Sequence, residues 1–332
     1  MTKPVFQRLS GTDALPLTLR DCVVAIGNFD GVHRGHQAVL ERALELAHRD
    51  GLPAVVLTFE PHPRSFFKPN EPIERLTDAV EKAEILRLMG FDAVVEQPFT
   101  ADFSAQSAED FVHNILVERL HANRVVTGYD FHFGKARRGT PQFLEEAGQS
   151  SGFSVSLVDA FGDEGGNLVS STRVRALLCE GEVAEAAGLL GYRYRVSGEV
   201  IHGKKLGRTL GFPTANMTID DHVSLKHGIY AVRFRRADGI LHDGVASFGR
   251  RPTVASDGKP LLETFVFDFS GDLYGEVAEV SFFGYLRGEV KFDGLDPLIA
   301  QMKRDEEEAR ALLAGAQPLS ELDRLLSFPA SA

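Results

Sequence analysis

Apolar positions change their period along this chain. Up to about residue 180, short apolar runs alternate with helical patterns. Val23-Val24-Ala25-Ile26 predicts a strand. After a glycine-rich turn, Val39, Leu40, Ala43, Leu44 and Ala47 fall on one face of a helix. Runs at 54–59, 92–96, 124–127 and 153–158 predict further strands. Thr77 is expected to cap a helix reaching Met89, with Gly90 at its end. Ser107-Ala-Glu-Asp110 resembles a capping box for a helix through Leu120, and Thr140-Pro141 pairs an N-cap with a first-turn proline. Strands alternating with helices predict a parallel sheet covered on both faces.

After about residue 190 the pattern becomes β-rich. Tyr194–Ile201, Ile229–Phe234, Glu263–Phe269 and Val277–Phe282 are dense in β-branched and aromatic residues, with turns at Asp238-Gly239 and Ser270-Gly271-Asp272. A small antiparallel barrel or sandwich is expected, closed by an acidic helix from roughly Leu295 to Leu313. The expected class is α/β plus β. The boundary is placed near 182, after the Cys179-Glu-Gly181 break, giving domains 1–182 and 183–332.

The 332 residues suit two domains, and 43% hydrophobic with 25% charged residues suits a globular protein. Lys and Arg total 36 against 47 Asp and Glu, a formal net charge of −11. That balance argues against a dedicated nucleic-acid partner, which needs a basic face. Cys22 and Cys179 form no C-x-x-C pair and read as packed residues. Met1 to Ser10 does not read as a signal peptide, and no apolar run approaches the roughly 20 residues of a membrane span. No membrane partner and a cytoplasmic location are expected.

"GNFDGVHRGH" (Gly27 to His36) carries the first candidate chemistry. In an open parallel sheet, ligands bind beyond the carboxyl ends of the strands. Gly27, Gly31 and Gly35 permit a tight turn and close approach, and the helix start with His33 and His36 offers donors to an anion. Two histidines three apart also suit metal ligation or a plain surface. Neither a Walker loop nor a dinucleotide fingerprint is present here.

The stretch resembles the H-x-G-H signature of the nucleotidyltransferase superfamily, most of all the adenylyltransferase module of bacterial bifunctional riboflavin kinase/FAD synthetases. "TFEPHP" (Thr58 to Pro63), "GYDFHFGKARRG" (Gly128 to Gly139) and "VSSTRVR" (Val169 to Arg175) agree in order. The resemblance implies a Rossmann-like N-terminal domain in which Asn28, His33, Gly35 and His36 hold ATP phosphates. It also implies that Ser171, Thr172 and Arg175 hold the outer phosphates, and that His62, Asp130 and Arg137 line the flavin pocket. Ser171 also reads as an ordinary N-cap, and His62 as a structural histidine. His132 stands where the family usually has Arg. Phosphate donors and cations, with no Ser–His pair, fit attack of the FMN phosphate on the α-phosphorus of ATP.

In the second half, "GKKLGRTLGFPTANM" (Gly203 to Met217) reads as a cationic phosphate loop or a solvated turn. Its tail resembles the riboflavin kinase signature. The resemblance implies that Gly203 and Lys204 contact ATP, and that Thr214 and Asn216 arrange Mg²⁺ with the ATP phosphates. "LLETFVFDFSGDLYG" (Leu261 to Gly275) resembles the other kinase motif, with Glu263 as the base for the ribityl 5′-hydroxyl of riboflavin. Read without the resemblance, Glu263 is a charge on a strand's outer face. Phe265 replaces the family's usual His, Ser247 its Asn and Val254 its Phe.

The expected function is a two-step enzyme using ATP and Mg²⁺ to convert riboflavin to FMN and FMN to FAD. Oligomeric state is not legible. One rival is a nucleotidyltransferase for another acceptor, carrying a barrel that only binds. A base beside a metal site argues against it. A synthetase-like RNA enzyme is the other rival, and the acidic balance argues against that.

Overall fold

The computed structural model describes residues 5–203, 212–219, 223–250 and 260–329. The expected phosphate contact Lys204 and the departure at Val254 lie outside them. By contact the chain divides into two compact units, Met1–Ile73 with Thr77–Ser170, and Glu74–Leu76 with Ser171–Ala332.

In the first unit, β1 (Gln7–Ser10), β2 (Val23–Ile26), β3 (Ala54–Glu60), β4 (Ala93–Pro98), β5 (Arg124–Gly128) and β6 (Ser154–Val158) form one sheet. The order is β1-β4-β3-β2-β5-β6, and every neighbouring pair is parallel. All residues of β2 are buried, as in a strand covered on both faces. β1 escapes the sequence pattern because it is an edge strand with one apolar residue, Leu9.

The helices between strands are α1 (Arg34–Asp50), α2 (Pro63–Phe67), α3 (Ala79–Met89), α4 (Ala101–Ser104), α5 (Ala108–Asp110) and α6 (Pro141–Ser151). The buried stripe of α1 runs Val39, Leu40, Ala43, Leu46 and Ala47, and the expected Leu44 falls on its shoulder. The Ser107–Asp110 capping box forms at α5, and Thr140 caps α6 ahead of Pro141. Beyond α5 the chain continues in π-helical turns over Phe111–Arg119, burying Phe111, Val112, Ile115 and Leu116. The cap of α3 is Asp78 rather than Thr77. The Asp78 carboxylate accepts the Glu81 N–H at 2.7 Å, while Thr77 is drawn to the loop after β2.

The second unit opens with α7 (Ser171–Glu180) and α8 (Val183–Leu190). The limit expected near 182 falls in the turn between them. Strands β7 (Arg195–Ile201), β8 (Thr214–Thr218), β9 (Gly228–Arg235), β10 (Leu241–Arg250), β11 (Pro260–Val266) and β12 (Val277–Arg287) close an antiparallel barrel in the order β10-β11-β8-β7-β12-β9. Closure decides between the barrel and the sandwich. β8 and β10 are not signalled by alternation. One is the short Thr-Ala-Asn-Met-Thr, and the other contains Gly244 and Gly249, which read as breakers.

Tyr230, Phe234, Phe282, Met217 and Leu262 are buried among the barrel strands, with Tyr230 edge-on to Phe282 at 5.2 Å. Outside, α9 (Leu295–Gly315) lays Ala309 and Leu313 on Ala231, Phe267 and Phe283. A last helix, α10 (Glu321–Ser327), is tied down by the Arg193–Asp323 ion pair. Arg233 donates to Asp243 and to the carbonyls of Ser327 and Leu313. Buried Arg233 thus satisfies helix carbonyls that the barrel wall would otherwise leave unbonded.

Candidate functional site

The loop 27–33 leaves the carboxyl end of β2, whose neighbours are β3 and β5. The chain runs from β2 outward through β3 on one side and later starts β5 on the other. This is the switch point where an open parallel sheet leaves a crevice for ligands. Phe29, Gly31 and Val32 adopt φ of 48°, 81° and 35°. Glycine suits such a conformation, whereas Phe29 and Val32 are held there by burial.

His33 is the N-cap of α1, and its Nδ1 accepts the His36 main-chain N–H at 3.3 Å. The two imidazoles stack, with centroids 3.6 Å apart and planes 17° from parallel. Phe29 meets His36 edge-on at 5.4 Å. A Cβ at Gly35 would sit 3.2 Å from the His33 ring, so this glycine belongs to the packing of the histidine pair. With Nδ1 accepting, a neutral His33 has its proton on Nε2.

Beneath the loop, the Asn28 carbonyl accepts from the Thr58 hydroxyl and from Lys82 Nζ, each at 3.2 Å. Lys82 also donates to Thr58 Oγ1 and Glu60 Oε1, both at 3.0 Å. Thr77 Oγ1 accepts the Gly31 N–H, and the Thr77 N–H donates to Asp30. The sequence reading missed Lys82 and Thr77. Lys82 sits on the buried stripe of α3 with Ala83, Ile85 and Leu86, and a lysine in that stripe was the available signal.

The flavin candidates emerge at the carboxyl ends of β3 and β5, the strands flanking β2. His62 caps α2, its Nδ1 accepting the Arg64 N–H at 3.1 Å. That helix ends at Phe66 and Phe67, which pack edge-on against Phe99, and Phe67 is 64% exposed. Asp130 and Arg137 are exposed beyond β5, and Arg137 has φ of 56°. His132 Nδ1 bonds the Asp130 carbonyl at 2.8 Å, so it is engaged with the main chain.

Ser171, Thr172 and Arg175 open α7 in the second unit. Arg175 Nε donates to the Glu74 carbonyl at 2.5 Å, and Ser224 Oγ bonds the Glu74 carboxylate.

On the barrel wall, Glu263 of β11 lies opposite Asn216 of β8 and Ser247 of β10. Thr214 shares their face, opposite Phe265. The intervening Leu262 and Thr264 are buried on the other face, so Glu263, half-buried, lies on the outer side of the barrel. Asn216 is 4% exposed, and its Nδ2 donates to the Thr214 carbonyl at 3.1 Å and more weakly to Thr214 Oγ1 at 3.4 Å. A Cβ at Gly203 would come within 2.5 Å of the Asn216 amide, so only glycine leaves that side chain its place. Phe265 packs on Phe212 at 5.1 Å and Phe267 at 5.5 Å, giving the position an apolar role.

Two family models match, FAD synthetase over residues 16–173 and riboflavin kinase over residues 190–313. A bifunctional riboflavin kinase/FMN adenylyltransferase of Listeria monocytogenes is 42% identical, covering 88% of this chain and 92% of that protein. The protein of the same description from Escherichia coli K12 is 40% identical, covering 90% and 94%. A solved structure titled as a macrolide-efflux protein from Streptococcus pneumoniae aligns at 31% identity and a TM-score of 0.80, covering 92% of this chain and 99% of that one. Among the described residues, no helix is long and apolar enough to cross a membrane. With both family models matched in order and relatives aligned over most of its length, the chain belongs to the family of bifunctional riboflavin kinase/FMN adenylyltransferases, the enzymes that make FMN and FAD from riboflavin.

Proposed function

We propose that the two ATP-dependent steps are divided near residue 182, with adenylyl transfer assigned to the histidine loop and riboflavin phosphorylation to the outer barrel face. The observation that carries this is the row Ser247–Glu263–Asn216 beside Thr214. A barrel that only binds has no need of a carboxylate aligned with neutral oxygen donors.

In the kinase step Glu263 takes the proton of the ribityl 5′-hydroxyl as its oxygen attacks the γ-phosphorus, and ADP leaves. Asn216, Thr214, Gly203 and Lys204 orient the ATP phosphates. A hydroxyl and an amide oxygen, those of Thr214 and Asn216, suit a Mg²⁺ ion brought by the phosphates better than a closed protein cage. Among the described residues no cluster of three His, Cys, Asp or Glu offers such a cage. When bound, the ion neutralises phosphate charge in the transition state.

In the second step the FMN phosphate attacks the α-phosphorus of ATP and pyrophosphate leaves. Asn28, His33 and His36, with the N–H groups at the start of α1, hold the transferring group. Ser171, Thr172 and Arg175 serve outer phosphates of ATP. His62, Asp130 and Arg137 hold the flavin, with exposed Phe67 offering its ring an apolar surface. A cytoplasmic setting supplies ATP to both steps.

Incubation with riboflavin, ATP and Mg²⁺, followed by separation of the flavins, tests the reading. FMN and then FAD are expected. Failure to form either overturns it.

A further inference from the structure

We infer that Lys82 is a positioning residue for adenylyl transfer. Its ammonium, together with the Thr58 hydroxyl, fixes the Asn28 carbonyl and thereby the loop that presents Asn28, His33 and His36 to the phosphates. This rests on the assignment of adenylyl transfer to that loop.

Lys82 is 2% exposed. A buried ammonium persists only with partners, because leaving water costs more than one exposed ion pair returns. Here three N–H donors meet three acceptors: the Asn28 carbonyl at 3.2 Å, Thr58 Oγ1 at 3.0 Å and Glu60 Oε1 at 3.0 Å. Thr58 is fully buried, and its hydroxyl proton goes to the same Asn28 carbonyl at 3.2 Å. Lysine, threonine and loop carbonyl therefore close a triangle.

The acceptors come from two places. Thr58 and Glu60 belong to β3, whereas Asn28 lies in the loop leaving β2. An apolar side chain at 82 would fill the same space and leave the Asn28 carbonyl with the threonine alone. Two residues further along, Thr77 bonds Asp30 and Gly31, so the segment from 77 to 82 grips the loop at two points. Between those points lies Phe29 in its left-handed conformation. A loop in that conformation needs external bonds to persist, and Lys82 supplies one.

The test uses the full chain, with riboflavin phosphorylation as the control for the second unit and thermal unfolding as the control for folding of the first. Lys82→Met removes the donors at similar volume. Thr58→Val removes the hydroxyl at constant shape, and Thr58→Ser restores it. Lys82→Met and Thr58→Val are each expected to lower kcat for FAD formation from FMN by about 10- to 100-fold, the effect of a small misplacement of reacting groups. KM for ATP should change by less than about threefold, because the loss falls mainly on the transition state. FMN formation should stay at its normal rate, and Thr58→Ser should recover most of the lost kcat. Thr58→Val with wild-type kcat overturns the inference, as does parallel loss of both activities or a Thr58→Ser no better than Thr58→Val. If Lys82→Met fails to fold, the threonine pair decides. A wild-type chain that forms FMN but no FAD would remove the loop assignment itself, and the role of Lys82 with it.

Discussion

The imidazoles of His33 and His36 lie face to face, centroids 3.6 Å apart, while Nδ1 of His33 caps the helix through the His36 N–H. One residue thus closes the helix end, and the other stacks on it. The two roles predict different losses. His36→Ala should cut FAD formation about 100- to 1,000-fold, as for removal of one oxyanion donor. His33→Ala should lose activity and also about 1 kcal/mol of stability with the cap. Steady-state assays with thermal unfolding check both, with riboflavin phosphorylation as the control. Equal stability loss in the two variants would contradict the cap.

Glu263→Gln should lower FMN formation by roughly 100- to 10,000-fold, the contribution of a general base. The same variant supplied with FMN should make FAD at the normal rate. Separated flavin assays report the two steps, and full kinase activity in the variant would place the base elsewhere.

Gly203→Ala inserts a Cβ within 2.5 Å of the Asn216 amide. Displacement of that side chain should reduce kcat for FMN formation at least about tenfold, since misplacement by an ångström is costly. Adenylyl transfer should be unaffected, and the same pair of assays decides.

A fragment from 183 to 332 should phosphorylate riboflavin and never form FAD. A fragment from 171 should be the more stable of the two. Helix α7 packs in the second unit, where the Leu178 carbonyl accepts the Lys226 N–H and the Glu180 carbonyl accepts Lys226 Nζ. Each lost hydrogen bond is worth about 1 kcal/mol. Denaturant midpoints of the two fragments test the order.

Burial pushes the Cys22 thiol up to about 12, and its Sγ–H points to the Leu120 carbonyl. In the folded chain at pH 8, a thiol reagent should label Cys179 and leave Cys22 to react only on unfolding. The folded pKa lies above the unfolded one. This contribution to stability is therefore complete below the unfolded thiol pKa and is lost as pH rises from there towards 12. Cys22→Ser should remove that alkaline decline.

The parallel sheet of the first half and the β-rich second half were legible in the sequence because period and capping are local properties. Ser107 and Asp110 need only a spacing of three to make their box, and β2 needs only its own apolar run to demand cover on both faces. Motif identity was local too, and it put His33 in the turn opening α1 and Glu263 on a strand, whereas Asn216, read as the tail of a phosphate loop, lies on β8. Register was not local. Glu263 meets Asn216 and Ser247 only when β11 lies between β8 and β10, and those two strands carry no alternation to announce them. Thr77 left its expected cap because Asp78 supplied the better acceptor and the β2 loop offered bonds. Lys82 was missed because Glu60, 22 residues earlier, and the Asn28 carbonyl surround its ammonium only in the folded chain. Periodicity reports that a face is buried, whereas the partner it is buried against is settled by the packing of distant segments. A buried charge depends wholly on that partner.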